Sequence, residues 1–257
     1  MTDMDMTETE PQTRRASELG AIARPHLALA LDTSDLTGAL ELWRRCRASF
    51  AIAKVGLELY SAAGPGAVAA LREEGAAVFV DLKLHDIPST VGRAAGRLAA
   101  IGASFVTVHL CGGTAMVTAA VEGFAEGAAV ELVGPIPAGV LGVTVLTSEP
   151  EAPAEVLVAR AAMAEGCGCA GLVCAAPDLT VVRRASLLPT VVPGVRRAGA
   201  PSNDQARVAT PAMAVRAGAR VLVIGRTVTA SPDPARAAEE LAREVARALA
   251  ESSAPGS

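Results

Sequence analysis

Short runs of β-type residues, each followed by an Ala-rich stretch that carries its charges on one side, alternate along this 257-residue chain, and there are eight of them. Parallel strands need crossover connections of this kind, and eight strands is the number that closes such a sheet into a barrel. The runs fall at 27–32, 50–56, 76–83, 105–110, 141–147, 171–176, 190–195 and 221–226. Segments between them, such as GAVAALREEG and PARAAEELAREVARALAES, have helical composition with charged faces. The pattern predicts an α/β protein, a single (β/α)8 TIM barrel over residues 21–250. A polar N-terminal extension at 1–20 and a tail at 251–257 are expected to be flexible.

Composition narrows what such a barrel does. Hydrophobic residues make up 51% of the chain and aromatics only 2%, so Ala, Val, Leu and Ile must fill the core. The net charge is -4 and the arginines are scattered, which argues against a nucleic-acid platform but not against a small anionic ligand. No apolar run approaches the ~20 residues of a membrane span, and the opening MTDMDMTETEPQTRR is polar and acidic. A cytoplasmic protein without membrane contact is expected. Five cysteines without a CxxC pair read as free thiols in a reducing compartment, with Cys46, Cys167, Cys169 and Cys174 as buried hydrophobes and Cys111 as a core thiol. His26, His85 and His109 lack close ligand spacing, so no metal site is read.

Candidate chemistry collects at the C-terminal ends of the runs: Asp32, Lys54, Asp81, Lys83, Thr147, Arg196 and Arg226. In a (β/α)8 barrel that end carries the active site. Asp81 and Lys83 are two apart in DLK, so on an extended strand their side chains point the same way. With Asp32, Lys54 and Asp86 they are expected to form one alternating charge network, since buried charges of this density must pair. PGVR and IGR, after runs seven and eight, supply glycines for close backbone approach and arginines for a phosphate. The polar stretch VRRAGAPSNDQARVATP reads as a mobile functional loop.

The segment DLKLHDIPSTV, residues 81–91, resembles the Asp-x-Lys-x-x-Asp-Ile-Pro signature of the orotidine 5′-monophosphate decarboxylase family. LALD, KVG, VTVLTS, PGVR, NDQ, ATP and VIGR follow that family's order over residues 27–234. The resemblance implies conversion of orotidine 5′-phosphate to UMP and CO₂ in pyrimidine biosynthesis, without metal or cofactor. It further implies that Lys83 protonates C6 and that Asp81 lies against the departing carboxylate. Asp32 and Lys54 would bind the ribose hydroxyls and Thr147 the pyrimidine. Gln205 would reach base and phosphate, and Arg226, the Gly225 backbone and Arg196 would hold the phosphate. Asp86 and Thr90 would enter the neighbouring subunit's site, which makes a homodimer the expected unit. HLCGG departs from the family's habit of small residues after that histidine, placing Leu110 and Cys111 there.

Two other classes share parts of this pattern. A sugar-phosphate decarboxylase or aldolase on the same barrel carries an Asp-x-Lys-x-x-Asp core but uses a divalent metal and an enolate. A non-catalytic nucleotide-binding barrel is the other. LTS and NDQ supply polar groups that match a base edge, and a binding module gains nothing from carboxylates held near an anionic ligand.

Overall fold

A computed structural model describes residues 19–128, 132–196 and 209–253 of the chain. Eight strands form a closed barrel: β1 (Leu27–Ala30), β2 (Ile52–Gly56), β3 (Ala77–Leu84), β4 (Ala103–His109), β5 (Gly139–Val143), β6 (Gly171–Val173), β7 (Thr190–Val192) and β8 (Val221–Ile224). Each strand pairs in parallel with its sequence neighbours, and β8 closes on β1. The helices between them are α1 (Leu36–Cys46), α2 (Leu57–Ala63), α3 (Pro65–Glu73), α4 (Pro88–Ala100), α5 (Thr114–Gly127), α6 (Ala154–Gly166), α7 (Leu179–Ala185), α8 (Pro211–Arg216), α9 (Arg226–Thr229) and α10 (Pro234–Ser253).

Period-two alternation sorts the strand residues into two cores. Ala28, Ile52, Phe79, Phe105, Leu141, Val173, Val191 and Val223 point into the barrel. Leu29, Ala53, Val78, Val106, Val140, Leu172, Val192 and Leu222 point outward onto the helices. Phe79 and Phe105 meet edge to face, with ring centroids 6.2 Å apart, and give the narrow interior much of its bulk.

Several strands stop earlier than their composition suggests. The fifth begins at Gly139 and ends at Val143, so 144–147 belong to the loop above it rather than to a strand. The Arg160 guanidinium donates to the Thr144 carbonyl there, in place of a strand neighbour. The sixth ends at Val173, ahead of a 3-10 turn at Ala176–Asp178, and the seventh ends at Val192, because Pro193 has no N–H for the ladder. At the opposite mouth a two-stranded ribbon, Leu132–Val133 with Ile136–Pro137, inserts Val133 and Ile136 into the interior core. Nothing in the sequence pattern foretold this plug. The last helix runs through Ser253, past the expected boundary at 250, and Glu251 pairs with Arg216 at 2.8 Å.

Helices α4 and α5 pack through glycines. A Cβ on Gly123 would lie 2.1 Å from the Gly92 carbonyl oxygen, and one on Gly127 would lie 2.3 Å from that of Gly96. Backbone meets backbone, so no rotamer change relieves the overlap. Gly123→Ala is therefore expected to lower the unfolding free energy by about 1–3 kcal/mol, although alanine is the better helix former. Urea denaturation checks this, with Gly66→Ala, which has open space around it, as the control.

Candidate active site

The C-terminal mouth of the barrel opens into a cavity of about 580 Å³, within the range that holds small-molecule ligands. Ala30, Phe79, Val143, Val173 and Val223 form its apolar floor, and Asp32, Lys54, Asp81 and Lys83 line one wall. Thr147, Gly194, Arg196, Gly225 and Arg226 line the other parts. Eight of the residues expected in the site thus converge on one cavity.

The charged wall has an ordered geometry. Lys54 Nζ lies 2.8 Å from Asp32 Oδ1 and 3.8 Å from Asp81 Oδ2. Lys83 Nζ lies 2.8 Å from Asp81 Oδ1, which also accepts a hydrogen bond from Thr107 Oγ1 at 3.0 Å. Lys54 is buried, as its position inside β2 demands, whereas Asp32 is 59% exposed at the rim. Burial pushes the Asp81 carboxyl up, but the Lys83 and Lys54 charges and the hydrogen bonds from Lys83 and Thr107 outweigh it and hold the group below the usual aspartate range. Asp81 is therefore a buried anion clamped between two cations.

The shared direction of Asp81 and Lys83 arises differently from regular strand alternation. Lys83 has φ 52°, the one positive value at a non-glycine position among the described residues, and the β3–β4 register breaks between Val80 and Leu84. A bulge carries Lys83 to the carboxylate. Close passage also explains the glycine of KVG: a Cβ on Gly56 would lie 2.9 Å from both Asp32 Oδ1 and Lys54 Nζ. At the PGVR turn Gly194 adopts φ 76°, a backbone state costly for any residue with a Cβ. Arg196 N–H donates to the Ala209 carbonyl at 3.0 Å and so ties the ends of the segment between them. Gln205 lies outside the described residues.

Asp86 does not join the expected five-membered network. It is exposed at the start of α4, where its carboxylate accepts from the Ile87 N–H at 2.6 Å, and Thr90 sits one turn further along. Both lie outside the cavity of their own chain. Asp86 lies past the end of β3 at Leu84 and ahead of α4, off the strand that carries Asp81 and Lys83.

The histidines pack beside the site, not in it. The His85 and His109 rings are 5.8 Å apart, and burial, then the charges of His85, Lys83 and Arg160, pull the His109 pKa down. Cys111 is exposed rather than a core thiol, because the 3-10 turn Leu110–Gly112 buries Leu110 instead and leaves Cys111 outward, 4.0 Å from His85 Nδ1. Cys46, Cys169 and Cys174 are buried and Cys167 is half-buried; burial pushes the Cys46 thiol up to about 11 and that of Cys169 to about 12. Among the described residues, no group of three or more His, Cys, Asp or Glu side chains could hold a metal ion. No helix there is long and apolar enough to cross a membrane.

Thr107 and Gly56 are the site components that sequence reasoning passed over. Inward parity on β4 would have pointed to Thr107; the room required at Gly56 has no local signal.

The sequence profile of the orotidine 5′-phosphate decarboxylase / HUMPS family matches residues 25–241. The chain belongs to this family. It is 47% identical over 223 residues to the orotidine 5′-phosphate decarboxylase of Anaeromyxobacter sp. (strain K), covering 84% of this chain and 96% of that one. It is 41% identical over 242 residues to the enzyme of the same name from Syntrophotalea carbinolica, covering 89% and 98%. Among solved structures, the orotidine 5′-phosphate decarboxylase of Lactobacillus acidophilus superposes with a TM-score of 0.71 at 31% identity, over 85% of this chain and 98% of that one. In this decarboxylase-family member the four-residue charge chain occupies the mouth of the shared barrel.

Removing one of its cations tests the clamp. In the wild type the depressed Asp81 pKa contributes stability that is present above the unfolded value of about 3.9 and is lost as pH falls through the folded value. In Lys83→Met, burial loses its nearest counterweight, so the Asp81 pKa rises toward and above the unfolded value. Stability near pH 7 is expected to fall by up to about 3 kcal/mol, and the difference from wild type to shrink as the pH is lowered toward 4. Urea unfolding across pH 4–8 reads both effects.

Proposed function

We propose that the protein decarboxylates orotidine 5′-phosphate to UMP and CO₂, in pyrimidine biosynthesis, without metal or cofactor. The observation that carries this reading is the Lys83 ammonium, 2.8 Å from the buried, ionised Asp81 and facing a cavity that has arginines and glycines on its other side.

The chemistry asks for this arrangement. Breaking the C6–carboxylate bond leaves its electron pair on C6, in the ring plane, where no adjacent carbonyl delocalises it. A fixed ammonium beside that carbon stabilises the developing charge and then donates a proton, giving UMP and a neutral lysine that solvent reprotonates. Asp81 opposes the substrate carboxylate and not the uncharged CO₂. Asp32 and Lys54 hold the ribose hydroxyls, Thr147 the pyrimidine, and Arg196, Arg226 and the Gly225 backbone the phosphate. Gln205 completes the base and phosphate contacts. Binding energy from the phosphate, remote from C6, aligns the reacting end.

Support for metal-free chemistry comes from the carboxylates themselves. Asp81 Oδ1 is taken by Lys83 and Thr107, its Oδ2 faces Lys54, and Asp32 Oδ1 is paired with Lys54. A divalent ion seated between Asp32 and Asp81 would compete with the ammonium groups that already pair with them. Support for a homodimer comes from Asp86 and Thr90, exposed or half-exposed beside the mouth with Ile87 64% exposed between them. We place them in the partner's site, which makes the dimer the catalytic unit. The five free cysteines fit a reducing, cytoplasmic setting.

Wild-type protein with excess chelator is expected to consume orotidine 5′-phosphate in an absorbance assay, and Lys83→Ala to lose more than about 10³-fold in kcat. Absence of wild-type turnover, or its loss to the chelator, would favour the metal-dependent sugar-phosphate class. Mixing inactive Lys83→Ala with inactive Asp86→Ala is expected to restore about a quarter of wild-type activity, since about half of the dimers are mixed and each of those holds one intact site. Restoration after mixing is the check on shared sites; none would place Asp86 outside them.

A further inference from the structure

We propose that Thr107 is a positioning residue for this reaction, its single hydroxyl holding both the Asp81 carboxylate and the Lys83 backbone in their working places. The inference rests on the reading of Lys83 as proton donor, and it begins in the register of the barrel. Val80 pairs with Val106 and Leu84 with Val108, so three residues of β3, Asp81 to Lys83, stand opposite Thr107 alone. A bulge of that size interrupts the ladder and strands backbone groups. Lys83 takes the strained φ of 52° within it. Its N–H donates to Thr107 Oγ1, at 2.9 Å.

The same oxygen carries a hydrogen, which it donates to Asp81 Oδ1 at 3.0 Å. One hydroxyl thus uses an acceptor lone pair on the lysine backbone and its proton on the aspartate. Thr107 is fully buried and does not line the cavity, so water does not replace it and substrate does not touch it. Its γ-methyl packs in the same place a valine would, which separates the work of the hydroxyl from that of the volume. Without the hydroxyl, Asp81 Oδ1 keeps only Lys83, and the bulge keeps no anchor for the Lys83 N–H. The ammonium and the carboxylate then both lose their fixed aim at the cavity.

The test compares Thr107→Val, which keeps the shape and removes the hydroxyl, with Thr107→Ser, which keeps the hydroxyl. For orotidine 5′-phosphate the valine variant is expected to lose about 10- to 100-fold in kcat with KM changed by less than about threefold. The serine variant is expected to stay within a few-fold of wild type. The acid limb of the kcat profile should move to higher pH in the valine variant, because a hydrogen bond that favours ionised Asp81 is gone. Hydrogen exchange at the Lys83 amide supplies a readout independent of turnover: protected in wild type and Thr107→Ser, and at least about tenfold faster in Thr107→Val. Should the valine variant fail to fold, Thr107→Ala takes its place. Equal damage in the serine and valine variants, or unchanged kcat and exchange in the valine variant, overturns the proposal. Wild-type protein that does not turn over the nucleotide but shows the exchange difference overturns the functional reading and leaves the anchoring role standing.

Discussion

A carboxylate buried at the mouth of an apolar barrel is tolerable only if cations and hydrogen-bond donors surround it, and Asp81 is the group around which this mouth is built. Lys83 and the Thr107 hydroxyl take one of its oxygens, and Lys54 approaches the other while reaching to Asp32. These contacts impose demands further out. Lys83 leaves the regular strand to reach its partner, β3 bulges, and a side chain at Gly56 would press on the Asp32–Lys54 pair. The cost of burying the anion is thus spread over four adjoining strand ends, and the result is a rigid ammonium at the edge of the cavity.

The remainder of the barrel makes that rigidity possible. An interior of valines, alanines, two phenylalanines, a leucine and an isoleucine leaves little room for the strands to shift, and the ribbon carrying Val133 and Ile136 closes the lower mouth. Aromatics are scarce, so helices come close; at α4 and α5 they come close enough that glycine carbonyls replace side chains as the contact surface. That contact packs α4 against α5; the first turn of α4 carries Thr90, and Asp86 lies just ahead of its N-cap, Ile87.

Much of the barrel was legible in the chain. The eight aliphatic runs, their alternation and the helical composition between them specify strand number and direction, and membership of the family agrees with the order of its motifs. The gathering of Asp32, Lys54, Asp81, Lys83, Thr147, Arg196 and Arg226 at one end also follows from their places at the ends of the runs. Strand ends were less legible: 144–147 have β-type composition yet lie past the end of β5, because composition does not report where the neighbouring strand stops. Asp86 reads as one more charge in the same motif, yet it lies past the end of β3 and outside the cavity that Asp81 lines.

The sequence by itself determined the two faces of the regular strands and which charges arrive at the mouth, since side-chain parity and residue type are local properties. Tertiary structure alone decided the bulge at Lys83, the hydrogen bonds that join Thr107 to Asp81 and Lys83, the close approach at Gly56 and the glycine contact between α4 and α5. Each of these depends on the register or distance between segments that lie tens of residues apart, which no local pattern encodes.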